Sequence, residues 1–419
     1  MIDSREAYDR LLAGLFDRHP SVQTSGFSAG AYKPGLDAMR RFDAALGHPS
    51  EQFRSIHVAG TNGKGSVCSM LAAALAGAGL RVGLYTSPHL TDFRERIKLV
   101  EAGGCSMIPR ETVFRFLTER EAELEGLSFF EITTGLAFRW FADQQVDLAV
   151  IEVGLGGRLD STNILTPELA IVTSIGLDHC ALLGNSRAVI AAEKAGIFKP
   201  GVPALCGQRD SETQPVFEAR AAAAPCPLFF AEDFPTEPLE LDLTGPCQGE
   251  NLRTVLAALE LLGVDRDAAV RDAICHAAAR TGLRGRWERV LDEPEVICDI
   301  GHNPPALEHN FRRLRESGRP LLIVYGIMAD KDLVAIRKMM PPEARYFLVA
   351  PHGERALGVE ALAAQMDGLD CTLCESVQDG VRQALAAAKE IPGCILYIGG
   401  CNFVVAEAIG MFDPKSNPL

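Results

Sequence analysis

Short apolar runs alternate with helical patterns of apolar positions along most of the chain. The first clear run covers Ser55 to Ala59, and a glycine-rich loop and an alanine-rich helix from Lys64 to Ala78 follow it. Continuous apolar runs of this length are typical of parallel strands that helices cover on both faces. The pattern therefore predicts an α/β fold built on a mainly parallel sheet.

Three further runs extend this sheet. Strands are predicted at 81–86, 147–152 and 169–174, with helices at 111–123, 130–144 and 188–195. The residues from Ser87 to about Ile108 are predominantly polar and predict a long loop. Polar residues follow directly after several strands, and ligands of open α/β sheets bind at these carboxyl ends.

From Pro294 onward the alternation becomes more regular. Strand patterns centre on Val296, Leu321, Tyr346, Cys371 and Ile395, and helical patterns centre on Pro305, Asp332, Val359, Val377 and Phe403. These β/α units predict a smaller Rossmann-like domain. Its glycines lack the dinucleotide fingerprint, which argues against a nicotinamide cofactor. The boundary is predicted within Leu283–Arg286, which gives domains at 1–284 and 285–419.

Composition narrows the classes of function. The 419 residues suffice for two domains, and 47% hydrophobic and 23% charged residues are typical of a globular protein. A net charge of −14 without a basic run argues against nucleic acid or an anionic membrane as a partner. The first residues do not resemble a secretory signal, and no apolar stretch is long enough to span a bilayer. With twelve cysteines suited to a reducing compartment, the sequence predicts a cytoplasmic protein.

The loop Gly60–Ser66, which reads GTNGKGS, is the first candidate for chemistry. Its spacing differs from that of the usual phosphate-binding loop, but it joins a strand to a helix in the same way. Backbone N–H groups at a helix N-terminus bind anions, and Lys64 can supply a cation to the outer phosphates of ATP. Ser66 would then contact a magnesium ion. The alternative is a glycine-rich turn without a ligand.

Polar residues after other strands are further candidates. Glu152 precedes a second glycine cluster and has the oxygen ligands that Mg²⁺ prefers, although it could equally be a solvated rim residue. His179 is by itself more typical of a structural residue, and Lys194 of an ordinary ion pair with Glu193. Cys371 and Cys374 have zinc spacing but lie in a predicted strand, so a structural role is favoured. These residues predict an ATP-dependent enzyme with Mg²⁺ and an interdomain cleft, and they leave the acceptor open.

Motifs along nearly the whole chain resemble one family. They are GTNGKGS, TSPHL, FFEITTGLAF, EVGLGGRLDSTN, LDHCALLG, EKAGIFKPG, GRWE, DIGHNPPAL and GIMADKD. The chain is similar to folylpolyglutamate synthases, particularly the bacterial type that is also a dihydrofolate synthase, within the Mur ligase superfamily. The resemblance implies a P-loop-type domain followed by a Rossmann-like ligase domain. It also implies ATP-dependent addition of L-glutamate to dihydropteroate, to tetrahydrofolate or to both, through an acyl phosphate.

The resemblance also implies roles for individual residues. The implied ATP contacts are Asn62, Gly63, Lys64, Gly65, Ser66, Asn251, Arg286, Asp299 and His302, and Arg286 would reach the phosphates once the domains close. The implied magnesium ligands are Ser87, Glu152 and His179, with Ser66 and a carbamylated Lys194 as further candidates. Lys64, Lys194 and His179 are the implied catalytic residues. The implied contacts of the pterin-bearing acceptor are Gly35, Leu36, Phe129, Phe130, Glu131, Leu159, Asp160 and Ser161.

Two departures from the family pattern concern the second domain. Gly301 stands where an alanine is common, and Cys401 stands in a Gly-Gly-Cys sequence where relatives often carry Gly-Ser. Other functions remain open: a Mur-type ligase of a cell-wall precursor, a small-molecule kinase, or a nucleotide-hydrolysing switch. The sequence lacks the Asn-Lys-x-Asp motif that recognises guanine, which argues against a switch that hydrolyses GTP. Only small-molecule partners and a monomeric state are expected.

Overall fold

The computed structural model describes residues 5–19, 35–353 and 355–412. These residues form an α/β structure with two sheets, in which most neighbouring strands run in parallel. The chain divides into two compact units. The first falls within Met1–Asp242 and Gln248–Leu283, and the second within Leu243–Cys247 and Arg284–Leu419. The predicted α/β class is confirmed, whereas the short excursion at Leu243–Cys247 was not predicted.

An eight-stranded sheet forms the centre of the described part of the first unit. Its strands are β1 Arg54–Ala59, β2 Val82–Tyr85, β3 Ile97–Glu101, β4 Gly104–Met107, β5 Leu148–Glu152, β6 Leu169–Val172, β7 Ala204–Cys206 and β8 Leu228–Phe230. The strand order is β4-β3-β2-β5-β1-β6-β7-β8. Strand β1 lies in the middle, and all its residues after Arg54 are buried, as its apolar run predicts.

The prediction of a long loop from Ser87 to Ile108 is wrong. A 3₁₀ turn at Phe93–Arg96 leads into β3, and β3 pairs antiparallel with both β2 and β4. Strand β4 is largely exposed at the edge of the sheet. Edge strands carry polar residues more readily than central ones, so the hydrophobic pattern did not reveal β4.

Twelve helices are described in the first unit. They are α1 Arg5–Arg18, α2 Asp37–Ala45, α3 Lys64–Gly77, α4 Arg110–Glu119, α5 Glu121–Leu124, α6 Phe129–Asp143, α7 Cys180–Leu183, α8 Arg187–Lys194, α9 Gln214–Ala223, α10 Gln248–Leu261, α11 Ala268–Cys275 and α12 Ala277–Thr281. Helix α6 packs its aromatic residues into a core with β2 and β5.

Helix α3, which begins at the glycine loop, is buried on all sides. Every residue from Gly65 to Ala76 is buried, because the sheet covers one side and α10, α11 and α12 pack on the other. Small side chains permit this close approach: a Cβ added at Gly77 would lie 2.9 Å from the Cβ of Ala273. The alanine-rich sequence of α3 is therefore explained by packing.

The second unit contains a six-stranded sheet in its described residues. Its strands are β9 Glu288–Leu291, β10 Glu295–Asp299, β11 Leu321–Tyr325, β12 Arg345–Leu348, β13 Asp370–Leu373 and β14 Ile395–Gly399, in the order β13-β12-β11-β14-β10-β9. Its helices are α13 Pro304–Glu316, α14 Leu333–Arg337, α15 Val359–Ala363, α16 Val377–Glu390 and α17 Asn402–Ile409. The five predicted β/α units are present, and β9 adds an antiparallel edge strand.

None of the helices in the described ranges is long and apolar enough to cross a membrane. No disulfide joins any of the twelve cysteines, all of which lie within the described residues.

Candidate nucleotide and metal site

The glycine loop connects the central strand β1 to helix α3. Gly63 has a φ of 85°, a conformation that residues with a side chain rarely adopt, and a Cβ there would collide with Oδ1 of Asn251. The neighbouring strand β6 fixes the other side of the loop, because Thr173 Oγ1 donates to Asn62 O at 2.6 Å and Thr61 N donates to Ser174 O at 2.8 Å. These contacts fix the backbone of the loop on both sides.

Two lysines meet at the first residue of this loop. Lys64 Nζ donates to Gly60 O at 3.0 Å and to Thr61 O at 3.2 Å, and Lys194 Nζ donates to the same Gly60 O at 2.9 Å. Burial, with the charge of Lys64 as the second cause, lowers the pKa of Lys194 to about 7. The neutral amine of Lys194 is thus well populated near neutral pH. The ammonium of Lys64 at the N-terminus of helix α3 suits the binding of a polyphosphate.

The predicted magnesium ligands Ser87 and Glu152 lie together. Ser87 follows β2 and Glu152 ends the adjacent strand β5, and Ser87 N donates to Glu152 Oε2 at 3.1 Å. Glu152 is only 3% exposed. A hydroxyl and a carboxylate fit a nucleotide-bound magnesium, which takes few protein ligands because phosphates and water complete its shell.

The structure places His179 beside Asp178. His179 has a left-handed backbone conformation just before α7, and its Nε2 lies 3.8 Å from Asp178 Oδ2. Within the described ranges, no group of three or more His, Cys, Asp or Glu side chains is arranged to hold a metal. The place of His179 among the magnesium ligands therefore stays a prediction.

Helix α10 adds polar side chains next to the loop. Gln248 Nε2 donates to Ser66 Oγ at 3.3 Å, and Asn251 Nδ2 donates to Gln248 Oε1 at 2.9 Å. Asn251 was predicted as an ATP contact, but Gln248 was missed. The three-residue spacing, which puts both side chains on one helical face, was the available signal.

Comparison with known proteins identifies the family. The Mur ligase middle domain matches residues 58–229, and the Mur ligase, glutamate ligase domain matches residues 285–401. The dihydrofolate synthase/folylpolyglutamate synthase of Escherichia coli is 35% identical over 401 residues, which cover 91% of this chain and 92% of that protein. The chain belongs to the folylpolyglutamate synthase family. It is therefore an ATP-dependent ligase of the Mur superfamily.

Solved structures of the folylpolyglutamate synthase family share the fold. Escherichia coli FolC in complex with DHPP and ADP has a TM-score of 0.83 and 29% identity, and the alignment covers 98% of each chain. A bifunctional folylpolyglutamate synthase/dihydrofolate synthase with Mn, AMPPNP and L-glutamate bound has a TM-score of 0.80 and 28% identity, over 96% of this chain and 97% of that one. ATP and a divalent metal are thus supported for this chain.

Two carboxylates that were predicted to contact the acceptor, those of Glu131 and Asp160, accept hydrogen bonds from residues close to them in sequence. Glu131 accepts from Ser128 N at 2.7 Å and from Ser128 Oγ at 2.8 Å, which caps helix α6. Asp160 accepts from Leu155 N at 2.8 Å and from Thr162 N at 3.0 Å. Both carboxylates are buried, so these bonds already occupy much of their accepting capacity.

The other predicted acceptor residues differ in exposure. Phe129 is buried and stacks on Phe16 with 4.8 Å between ring centroids. Phe130 is partly exposed and packs against Gly154, where a Cβ would collide with its ring. The remaining predicted contacts are partly exposed: Gly35, Leu36, Leu159 and Ser161. Phe130 thus presents an aromatic surface next to the second glycine cluster.

A buried histidine lies behind Asp160. His57 Nε2 lies 2.8 Å from Thr162 Oγ1, and the Thr162 hydroxyl donates to Asp160 Oδ1. Burial lowers the pKa of His57 to about 3, so its ring is neutral at physiological pH. Since the hydroxyl proton is directed to Asp160, Nε2 of His57 must carry the proton that it shares with Thr162.

In the second unit, the carboxylate of Asp299 accepts hydrogen bonds from two nearby backbone N–H groups and from one side-chain amide. Its carboxylate accepts from Trp287 N and Gly301 N, both at 2.8 Å, and from Asn310 Nδ2 at 2.6 Å. Asp299 thus holds the segments that carry Arg286 and His302, and Asn310 is a partner that the sequence did not reveal. A Cβ at Gly301 would lie 2.8 Å from Asp299 Oδ1, so in this chain a side chain there would displace the carboxylate. Direct ATP contacts of Arg286, Asp299 and His302 stay predictions.

Proposed function

We propose that this protein joins L-glutamate to dihydropteroate, to tetrahydrofolate or to both. The convergence of four adjacent strands carries the proposal: β2, β5, β1 and β6 bring Ser87, Glu152, the lysine-bearing loop and Thr173 to one edge of the sheet. Such an edge is where open α/β sheets bind ligands. The acceptor class is supported by the relatives, whose names include both folylpolyglutamate and dihydrofolate synthases.

The reaction has two steps. The acceptor carboxylate attacks the γ-phosphorus of ATP, which forms an acyl phosphate and releases ADP. The amine of glutamate then attacks the acyl carbon, and the amide forms as phosphate leaves. Lys64 would offset the negative charge that develops on the transferred phosphoryl group.

Ser87 and Glu152 would hold the magnesium ion, together with His179 as the family resemblance implies. When bound, magnesium supplies positive charge to the phosphate oxygens of the nucleotide. In the structure Glu152 is buried and fixed by Ser87 N. This carboxylate therefore needs little reordering to accept the ion.

We assign ATP binding to the predicted domain 1–284 and a ligase role to 285–419. The assignment is supported by the phosphate loop in the first and by the matched glutamate ligase domain in the second. We also propose a monomer that works in the cytoplasm, consistent with twelve cysteines and no disulfide.

The deciding experiment measures glutamate-dependent phosphate release with Mg-ATP. Dihydropteroate and tetrahydrofolate are tested in parallel, beside a UDP-linked cell-wall precursor and a reaction without acceptor. Release with both pterin acceptors is expected, and release with only one would assign that single activity. Turnover only with the cell-wall precursor, or turnover that needs no acceptor, would contradict the proposal. Phosphate retained on a stable product would indicate a kinase.

We further propose that Lys194 is carbamylated in the active protein. The neutral amine attacks the carbon of CO₂, a C–N bond forms and a proton is released, so that a neutral group becomes an anion with two oxygen ligands. The nearby ammonium of Lys64 favours such an anion, because both amines lie at Gly60 O. The family resemblance points to the same lysine.

Removal of CO₂ is expected to lower ligase activity about ten-fold, and bicarbonate should restore it. ¹³C-labelled bicarbonate should give a carbamate signal in the NMR spectrum of the wild type that Lys194→Ala lacks. Lys199→Ala is the matched control, because burial also lowers the pKa of Lys199 but its amine binds Asn163 O away from the loop. An activity indifferent to CO₂, without a carbamate signal, would refute the modification.

A further inference from the structure

The segment that carries Ser87 is shaped by two neighbouring charged residues, Glu95 and Arg96. Glu95 accepts from Leu90 N at 2.7 Å, from Thr91 N at 3.0 Å and from Asp92 N at 2.8 Å. These bonds satisfy three successive N–H groups of the turn after Ser87. Glu95 thus fixes the backbone of this turn.

Arg96 holds the same turn at two further points. Its Nε donates to Nδ1 of His89 at 2.8 Å, and its backbone oxygen accepts from Thr86 N at 3.0 Å. Arg96 therefore contacts the chain just before and just after Ser87. Its side chain is unusually buried for an arginine, with only 2% of the residue exposed.

The same guanidinium faces the acceptor side of the unit. Its Cζ lies 5.2 Å from the ring centroid of Phe129, the first residue of helix α6. Helix α6 also carries Phe130 at its next position. Burial lowers the pKa of Arg96 to about 10, and the negative charge of Glu152 opposes this shift. Arg96 therefore remains cationic at neutral pH.

We propose that Arg96 is a positioning residue that connects the magnesium side of the site to the acceptor side. Its bond to His89 orients the turn of Ser87, and its packing on Phe129 orients the start of helix α6. The proposal rests on the proposed ligase function for the identity of the acceptor. No contact of Arg96 with substrate is required, since it acts through His89 and Phe129.

The test combines calorimetry with steady-state kinetics. Calorimetry gives the dissociation constant of Mg-AMPPNP and its dependence on Mg²⁺ concentration, without turnover, and kinetics gives KM for the acceptor. Arg96→Lys keeps the charge but loses the planar donor fork, so both the half-saturating Mg²⁺ concentration and the acceptor KM are expected to rise about ten-fold. His89→Phe keeps a ring but removes the acceptor atom, and it should raise only the Mg²⁺ value.

Two variants sharpen the interpretation. His89→Gln can still accept from Nε of Arg96 and should restore most of the Mg²⁺ affinity. Arg94→Lys is the matched control. Arg94 forms an ion pair with Asp92, so this variant should leave both constants unchanged. If Arg96→Lys only lowers the melting temperature and leaves both constants at their wild-type values, the positioning role is overturned. A wild type that is inactive with either pterin acceptor would instead refute the proposed function, and the Mg-AMPPNP measurement would still test the bond to His89.

Discussion

Lys64→Ala is expected to lower glutamate-dependent phosphate release about 1,000-fold. Lys64 is the first residue of helix α3, and its ammonium lies at the carbonyls of Gly60 and Thr61, next to the backbone that would cradle the phosphates. Removing it takes away the cation that the loop would offer to the transferred phosphoryl group. The loss should fall mainly on kcat, because the charge develops most in the transition state.

The loop itself should survive the Lys64 substitution. Asn62 and Thr61 remain bonded to Thr173 and Ser174, so the thermal midpoint is expected to stay close to that of the wild type. Lys389→Ala, at an exposed position in helix α16, is the control for the loss of a lysine and should keep full activity. Near wild-type turnover by Lys64→Ala would mean that the loop does not serve phosphoryl transfer.

Glu152→Gln is expected to raise the half-saturating Mg²⁺ concentration about 100-fold and to lower kcat as well. Glutamine has nearly the shape of glutamate, and its amide oxygen can still accept from Ser87 N, so the turn keeps its geometry. What the variant loses is one negative charge at a buried position. The effect therefore isolates the electrostatic part of metal binding.

Mg²⁺ titrations of phosphate release measure this effect directly. Glu168→Gln is the control, since Glu168 pairs with Arg54 at the opposite end of strand β1 and should not change the Mg²⁺ dependence. Excess Mg²⁺ should recover part of the activity of Glu152→Gln. An unchanged Mg²⁺ dependence would mean that Glu152 is not a magnesium ligand and has only a structural role at the end of strand β5.

The central strands were predictable because both their faces are buried. Strands β1, β5 and β6 are continuous apolar runs, and their neighbours in sequence are helices. Strand β4 and the two short strands beyond β6 were not predictable by the same pattern. Strand β4 is mostly exposed, and β7 and β8 have only three residues each, too few for a periodic signal.

Site residues were predictable where neighbours in sequence mark them, and they were missed where only the folded structure brings their partners together. The glycine loop and Glu152 were found because each is marked by its immediate neighbours in sequence. Gln248 and Asn310 were missed because their importance lies in contacts with Ser66 and Asp299 that the chain brings together only by folding. Arg96 was not identified as a site residue because it lies within 87–108, which was predicted to be a loop.

The carbonyl of Gly60 has consequences for the cost of binding ATP. It accepts from two lysine side chains at once, Nζ of Lys64 and Nζ of Lys194. When Lys64 turns toward a phosphate, Lys194 still satisfies this buried oxygen, so no acceptor is stranded without a donor. The N–H of Lys194, which a carbamate on this lysine would retain, thus lets Lys64 contact a phosphate without leaving the Gly60 carbonyl unsatisfied.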